Sequence, residues 1–233
     1  YCVPTGNFGN ILACWYAKQM GLPVGRLICA SNSNNVLTEF INTGVYDKNR
    51  PFHTTMSPSM DILVSSNLER LLFALTGQDD AAVAGYMKQL SETGRYEVTD
   101  DLKARLKEEF FGGFCDETKT GEIIARVWKE HGYLIDPHTA VAYQVMEEYR
   151  TASSDDNQTV FVSTASPFKF CDSVLSSLGV ADVREGIDAL DQLTEVTGYP
   201  APVPLASLRN KAVRFEEHVD KEQMMDVVLN MLR

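Results

Sequence analysis

Two glycines and two asparagines lie where a predicted strand ends and a predicted helix begins, within residues 3–11. A turn of this kind directs free backbone N–H groups and the positive end of a helix dipole at one point, so it can bind phosphate without a basic side chain. Gly6 and Gly9 would allow positive φ angles and a close approach of the backbone to an anion. Asn7 and Asn10 would add side-chain amide donors. The glycine spacing matches neither a P-loop nor a dinucleotide fingerprint, so it leaves open both an anion site and an ordinary strand-to-helix turn.

Three hydroxyls form a second candidate site at the junction between another predicted strand and helix, namely Ser163, Thr164 and Ser166. Hydroxyls at the carboxyl ends of parallel strands face the usual ligand crevice, where one of them can hydrogen-bond a heterocyclic nitrogen. Ser166 also fits the N-cap of the helix that Pro167 opens, and the pattern favours that structural role for it.

Two further segments leave their roles open. Residues 57–70 carry small hydroxyls, Asn67 and Arg70 ahead of an apolar helix, which suits either an anion contact or an ordinary capping region. His138 lies in the first turn of a helix that Asp136 caps, where a structural histidine is more common than a general base. The cysteines and histidines show no metal-ligand spacing, so we predict no metal site.

The composition excludes several classes of protein. The chain has 233 residues, 44% of them hydrophobic, and a formal net charge of −11. It contains no apolar run long enough to cross a membrane, and it lacks the clustered Lys and Arg residues that bind nucleic acid or an anionic membrane surface. Its five cysteines are odd in number and lie mostly in apolar runs, which is typical of buried free thiols in a reducing compartment. We therefore expect a globular cytoplasmic protein that binds neither nucleic acid nor membranes.

The order of the apolar patterns predicts an α/β fold, with a parallel sheet, flanking helices and a helical insertion. Residues 1–66 alternate between strand and helix patterns and contain the candidate phosphate loop. Residues 67–157 show helix patterns throughout, including one at 102–111, and predict the insertion. Residues 158–233 return to the sheet. The elements predicted in this last segment are a buried strand at 159–164, a helix at 166–178, a short strand near 213–215 and a terminal helix at 221–232.

Five blocks of sequence, spread in order over nearly the whole chain, resemble blocks of the threonine synthase family. They are residues 3–11 (VPTGNFGNI), 29–37 (CASNSNNVL), 57–73 (SPSMDILVSSNLERLLF), 134–141 (LIDPHTAV) and 163–170 (STASPFKF). That family belongs to the fold-type II pyridoxal-phosphate enzymes, and its members convert O-phospho-L-homoserine and water to L-threonine and phosphate. The resemblance thus implies the fold of that class, pyridoxal 5′-phosphate as cofactor and O-phosphohomoserine as the small-molecule partner.

The resemblance also assigns roles to individual residues. The loop that holds the cofactor's phosphate in the family corresponds here to Gly6, Asn7, Phe8, Gly9 and Asn10. The hydroxyl that hydrogen-bonds the pyridine nitrogen corresponds to Thr164. A hydroxyl does not stabilise a protonated pyridinium as a carboxylate does, so it tunes the electron sink less strongly. Ser166 departs from the family pattern, in which a histidine commonly precedes the proline.

The lysine that forms a Schiff base with the cofactor has no counterpart in this chain. In the family it lies well upstream of the phosphate loop, and none of the ten lysines here occupies an equivalent position. We therefore expect about the C-terminal half of a threonine synthase, with the catalytic lysine upstream of residue 1 and the missing N-terminal portion of the same enzyme as partner. Two alternatives stay open: another fold-type II lyase, such as a serine or threonine dehydratase, and a catalytically silent module that retains the fold.

The missing lysine leads to a first prediction. The 233-residue chain alone, mixed with pyridoxal phosphate, should show no absorbance typical of a lysine–cofactor Schiff base and should release no phosphate from O-phosphohomoserine. Absorbance spectroscopy and a colorimetric phosphate assay measure the two quantities. Phosphate release above the rate without protein would contradict the prediction.

Overall fold

The computed structural model describes residues 1–214 and 217–232. The strands are β1 (Cys2–Pro4), β2 (Leu27–Ser31), β3 (Val45–Asp47), β4 (Arg95–Glu97) and β5 (Phe110–Phe114). The helices are α1 (Gly9–Gln19), α2 (Val36–Thr43), α3 (Leu68–Leu75), α4 (Asp80–Thr93), α5 (Asp100–Glu109), α6 (Glu117–His131), α7 (Pro137–Ser153), α8 (Cys171–Ser177), α9 (Gly186–Thr197), α10 (Val203–Ala206) and α11 (Met224–Met231). Short 3-10 turns lie at Pro58–Met60, Pro167–Lys169, Ser207–Asn210 and Lys221–Gln223. Within the described ranges, no helix combines the length and the hydrophobicity that a membrane span needs.

Three parallel strands form the central sheet, in the order β1-β2-β5. Val3 pairs with Cys29, and Cys29 pairs with Gly112 on its other side. Parallel neighbours need a connection that returns to the same end of the sheet. Helix α1 makes this connection between β1 and β2, and the chain from α2 to α5 makes it between β2 and β5. The carboxyl ends of the strands therefore share one edge of the sheet, and the predicted phosphate loop follows β1 at that edge.

Helices cover both faces of the sheet, as the alternating side chains of β2 show. Leu27 and Cys29 belong to a core formed with α1, α2, α3 and α5, whereas Ile28 and Ala30 belong to a core formed with α7. All four residues are at most 2% exposed. Burial raises the pKa of the Cys29 thiol to about 12, so this cysteine stays protonated and unreactive at neutral pH. The predicted α/β fold with a parallel sheet between helices is confirmed.

A second hydrophobic core lies away from the sheet, among α6, the start of α7, α8 and α9. Leu175 of α8 and Leu193 of α9 are completely buried in it. Ala140 in the first turn of α7 and Phe168 in the following 3-10 turn belong to the same core. This packing fixes the start of α7 relative to the segment that precedes α8.

The prediction that residues 67–157 form a helical insertion is wrong at β5, which lies within this range and belongs to the central sheet. The helix expected at 102–111 ends early, and Phe110–Phe114 enters the central sheet beside β2. Phe110 and Phe111 favour a strand, and Gly112 and Gly113 disfavour the continuation of a helix. At Gly112 a Cβ would lie 3.1 Å from the carbonyl oxygen of Thr38, so glycine allows α2 to pack this closely on the strand.

The buried strand predicted at 159–164 is also wrong, because this segment meets β1 at one isolated parallel bridge, between Cys2 and Phe161. Cys2 donates one backbone hydrogen bond to the segment and accepts one from it, at 2.9 and 3.0 Å. Beyond this bridge, Ser163 does not extend the pairing, and its Oγ lies within hydrogen-bond distance of Thr139 Oγ1 of α7, at 3.2 Å. Contacts with α7 therefore replace a continuous strand.

Three predictions concern the last part of the chain. The helix expected at 166–178 is divided into the 3-10 turn at Pro167–Lys169 and helix α8. The first two residues of the strand expected near 213–215 lie in no strand, and Phe215 lies outside the described residues. The terminal helix expected at 221–232 is present as a 3-10 turn that continues into α11.

The contact between Gly112 and α2 leads to a stability prediction. Gly112→Ala should lower the free energy of unfolding by about 1–3 kcal/mol, because its Cβ meets the main chain of α2 in a packed core. The matched control is Gly85→Ala in α4, where a Cβ would meet no atom within 4 Å. That substitution should raise the free energy of unfolding by about 0.5–1 kcal/mol through helix propensity. Urea unfolding measures both values, and equal stability of the two variants would contradict the packing argument.

Candidate active site

All six residues predicted to bind the cofactor line one cavity of about 230 Å³. Its walls are the N-terminus of α1, the 3-10 turn at Pro58–Met60, the first turn of α7 and residues 164–169. The residues that line it are Pro4, Thr5, Gly6, Asn7, Phe8, Gly9, Asn10, Ser59, Met60, His138, Thr164, Ala165 and Lys169. The fold therefore brings the glycine–asparagine loop and the hydroxyl junction into a single site.

The N-terminus of α1 supplies this cavity with backbone donors. In the described part of the chain, the N–H groups of residues 6–11 are bonded to no acceptor, and the first bond along the helix runs from Leu12 N to Phe8 O at 3.2 Å. Unpaired N–H groups at a helix start carry the positive end of the helix dipole. The described lining residues include no aspartate or glutamate, although the net charge of the chain is −11. These donors suit an anion.

The expectation of positive φ angles at Gly6 and Gly9 is wrong, because Phe8 takes the left-handed conformation instead, with a φ of 62°. Such a conformation strains a bulky residue, and packing holds it in place. Phe8 is 1% exposed, and its ring centroid lies 5.6 Å from that of Phe110. Gly6 is required for a steric reason, since a Cβ there would lie 2.9 Å from Met60 Cα. A Cβ at Gly9 would meet its nearest neighbour at 3.6 Å, which is an ordinary contact.

A relay of amides anchors the loop to the start of α3. Asn7 Oδ1 accepts hydrogen bonds from the backbone N–H and the hydroxyl of Ser66, at 3.1 and 3.0 Å. Asn67 Nδ2 donates to Asn7 O at 2.8 Å, and Arg70 Nη1 donates to Asn67 Oδ1 at 3.0 Å. Asn7 therefore anchors the loop through its amide oxygen, and its NH₂ group has no partner among the described residues. Asn67 and Arg70, whose roles the sequence left open, support the loop.

A buried polar cluster at the end of β2 fixes the 3-10 turn at Pro58–Met60, which lies against the loop. Asp61 Oδ1 accepts hydrogen bonds from Asn32 Nδ2 at 2.8 Å and from Asn34 Nδ2 at 3.0 Å. Its other oxygen accepts from Thr55 N at 3.0 Å. Asn32 and Asn34 are 0% and 4% exposed, so water does not compete for these bonds. The turn that carries Met60 is therefore held firmly against the loop.

The three hydroxyls of the second junction have different partners. Thr164 is exposed, lines the cavity and makes no hydrogen bond within the described structure, so its hydroxyl is available to a ligand. Ser163 Oγ lies within hydrogen-bond distance of Thr139 Oγ1, at 3.2 Å. Ser166 caps the following 3-10 turn and accepts from Phe168 N at 3.3 Å. The N-cap interpretation of Ser166 is confirmed.

His138 lines the cavity, although the sequence favoured a structural role for it. It is 2% exposed, and its Nδ1 lies 2.9 Å from Asp136 Oδ1. Asp136 caps α7, as predicted, by accepting from His138 N at 2.9 Å, and its second oxygen accepts from Thr139 Oγ1 at 2.5 Å. His138 Nε2 is buried and has no hydrogen-bond partner among the described residues. Asp136, the cap of α7, therefore also orients the ring of His138 at the cavity.

Lys169 is the cavity residue that sequence reasoning missed. It is exposed and forms no ion pair within residues 1–214 and 217–232. A signal was present, because Lys169 lies within residues 163–170, one of the blocks that carry the family resemblance. A lysine beside a helix terminus with free N–H groups adds a second source of positive potential to the cavity.

The chain is similar to known proteins in both sequence and fold. A family model described as "Threonine synthase, C-terminal" matches residues 139–228. The crystal structure of pyridoxal-phosphate-bound threonine synthase from Brucella melitensis is similar with a TM-score of 0.84 and 35% identity, and the match covers 100% of this chain and 46% of that chain.

Curated relatives carry two names. The threonine synthase of Pseudomonas aeruginosa is 41% identical over 174 residues, which are 75% of this chain and 36% of that protein. The human protein named threonine synthase-like 1 is 35% identical over 233 residues, which are 100% of this chain and 31% of that protein. The chain spans less than half the length of the curated relatives that it matches.

The parallel sheet, its flanking helices and the helix terminus at the cavity give this chain the fold of a fold-type II pyridoxal-phosphate enzyme. Within that class, its sequence and fold match the C-terminal portion of the threonine synthases.

The steric requirement at Gly6 leads to a binding prediction. Gly6→Ala should weaken the binding of sulfate to the chain about tenfold or more, because displacing the loop removes at least one charge-assisted hydrogen bond. Gly25→Ala is the matched control, since a Cβ at this loop glycine would meet no atom within 4 Å. Isothermal titration calorimetry measures both affinities. Equal sulfate affinity of the two variants would show that the shape of the loop does not determine binding.

Proposed function

We propose that this chain is the cofactor-phosphate-binding portion of a pyridoxal-phosphate-dependent carbon–oxygen lyase, threonine synthase. The reaction is the conversion of O-phospho-L-homoserine and water to L-threonine and phosphate. The observation that carries the proposal is the cavity at the start of α1, where unpaired backbone N–H groups and the hydroxyl of Thr164 meet. The names of the relatives support the choice of reaction. Because the chain spans less than half of those proteins, activity, substrate and partner are all part of the proposal.

The residues of the cavity fit the chemistry of pyridoxal phosphate. A phosphate ester needs several hydrogen-bond donors, and the N–H groups of residues 6–11 provide them without a basic side chain. A pyridine nitrogen needs one donor or acceptor, and Thr164 has a hydroxyl without a protein partner in the described structure. The described lining residues include no carboxylate that would repel a phosphate dianion.

We propose the following roles for the predicted residues. The residues that would hold the cofactor's phosphate are Gly6, Asn7, Phe8, Gly9 and Asn10. Thr164 would hydrogen-bond the pyridine nitrogen, and as a neutral group it would not stabilise a positive charge there. When bound, pyridoxal phosphate supplies an electron sink for negative charge that develops on the substrate carbons.

Other residues keep the site in its binding geometry. The hydrogen bonds from Arg70 to Asn67 and from Asn67 to Asn7 resist opening of the loop. Met60, held through the Asp61 cluster, lies against Gly6 and lines the cavity. The lysine that attaches the cofactor would come from the N-terminal portion of the enzyme, which we propose as the partner of this chain. A cytoplasmic location stays a prediction.

A second candidate function rests on the human relative named threonine synthase-like 1, which matches the entire chain at 35% identity. A related protein that binds the same cofactor but acts on another phosphorylated or hydroxylated amino acid would have the same loop and the same Thr164. Substrate profiling of the enzyme with its N-terminal portion separates the two: release of phosphate from O-phosphohomoserine with formation of threonine supports the synthase, and its absence supports the second candidate.

The cofactor assignment leads to a binding prediction that needs no lysine. The chain should bind 4-deoxypyridoxine 5′-phosphate, which lacks the reactive aldehyde, about tenfold or more tightly than unphosphorylated pyridoxine. Thr164→Val should lower the affinity for the phosphorylated ligand about two- to tenfold, which corresponds to the loss of one hydrogen bond. Thr164→Ser should retain wild-type affinity. Ligand fluorescence measures these affinities. Equal binding of the phosphorylated and unphosphorylated ligands would contradict the assignment of the loop.

A further inference from the structure

His138 has one ring nitrogen without a partner in a buried position. The residue is 2% exposed and lines the cavity, and its Nε2 has no hydrogen-bond partner among the described residues. Buried polar nitrogens are normally paired, because an unpaired one loses its hydration without compensation. The free nitrogen therefore points to a ligand in the cavity.

Asp136 determines which protons the ring of His138 carries. Its carboxylate accepts from His138 N and lies 2.9 Å from His138 Nδ1, and it accepts from Thr139 Oγ1 at 2.5 Å. A carboxylate can only accept, so Nδ1 must carry a proton in this contact. When the ring is an imidazolium, Nε2 carries a proton as well and becomes a charge-assisted donor. An anion is the natural partner of such a donor.

The groups around His138 also favour an anion. Asp136, the N-cap of the helix that carries His138, is the acidic residue in contact with the ring, and its carboxylate is already paired with Nδ1. From the segment before α8, Phe170 packs on the ring at 4.9 Å between centroids, and the neighbouring Lys169 lines the cavity. The 3-10 turn at Pro58–Met60 adds the uncharged Ser59 and Met60 to the lining of the cavity. A ligand at Nε2 would therefore face two basic side chains and no acidic residue among the described lining residues.

We propose that His138 binds an oxyanion of the substrate through Nε2, with Lys169 as the second cation of this subsite. The proposal rests on the proposed function, in which the start of α1 binds the cofactor's phosphate while the substrate brings a phosphoryl group and a carboxylate of its own. Two anions in one cavity require two separate sets of donors. Asp136 is then a positioning residue, because it holds the ring and the Nδ1 proton without touching the ligand.

Nuclear magnetic resonance of the histidine ring nitrogens tests this proposal in the full 233-residue chain. The loop is first saturated with 4-deoxypyridoxine 5′-phosphate, and the amide signals of residues 6–10 report this binding. Sulfate is then titrated as the probe. Sulfate should shift the Nε2 resonance of His138 and leave those of His53, His131 and His218 in place. A His138 resonance that does not respond to sulfate would overturn the proposal.

Three substitutions separate the contributions of the side chains. His138→Gln should weaken sulfate binding about tenfold or more, because a neutral amide replaces the ring that donates to the anion. Lys169→Gln should also weaken sulfate binding, because the subsite loses one positive charge. His131→Gln, at an exposed histidine outside the cavity, is the matched control and should behave as wild type. If His138→Gln does not fold, the ring-nitrogen measurement on the wild-type chain decides the question.

Methyl phosphate and acetate distinguish the two oxyanions of the substrate. A shift of His138 Nε2 by methyl phosphate assigns the subsite to the phosphoryl group, a shift by acetate assigns it to the carboxylate, and a response to neither overturns the proposal. Failure of the proposed function has a different signature, in which 4-deoxypyridoxine 5′-phosphate leaves the amides of residues 6–10 unmoved. Sulfate titrated without that ligand then still reports on His138 by itself.

Discussion

Backbone N–H groups at the start of a helix require acceptors, and the described part of this protein provides none for residues 6–11 at the start of α1. The surrounding structure keeps these donors unpaired, and residues 6–10 line one cavity. Burial of Phe8 maintains its left-handed backbone, and the absence of a side chain at Gly6 lets the loop lie against Met60. An anion can thus bind by backbone dipoles in a chain with a net charge of −11.

Helix α7 links the stability of the fold to the chemistry of the cavity. Its middle residues, such as Val141 and Val145, cover one face of the sheet, so the helix is fixed over much of its length. Its cap, Asp136, satisfies the first turn and holds His138 at the cavity. One buried carboxylate therefore serves both as a helix cap and as the support of a ring whose second nitrogen is available to a ligand.

The sequence was sufficient for features that depend on local chemistry. Residue types around strand and helix ends indicated a candidate anion loop, the cap at Asp136 and a junction of three hydroxyls. The family resemblance singled out Thr164 among those hydroxyls, and the structure brings the loop and Thr164 to one cavity. Features that depend on distant contacts were missed. The left-handed backbone falls on Phe8 and not on a glycine, because packing against Phe110 outweighs local preference. The strand Phe110–Phe114 was assigned to a helix, because pairing with β2 overrides a helical apolar pattern.

The central claim is that the start of α1 binds the cofactor's phosphate, and a crystal structure of the chain with 4-deoxypyridoxine 5′-phosphate tests it most directly. We expect the phosphate within hydrogen-bond distance of the N–H groups of residues 7–10, with Phe8 still left-handed and the pyridine nitrogen beside Thr164. A phosphate bound elsewhere, with this loop empty and distorted, would contradict the account.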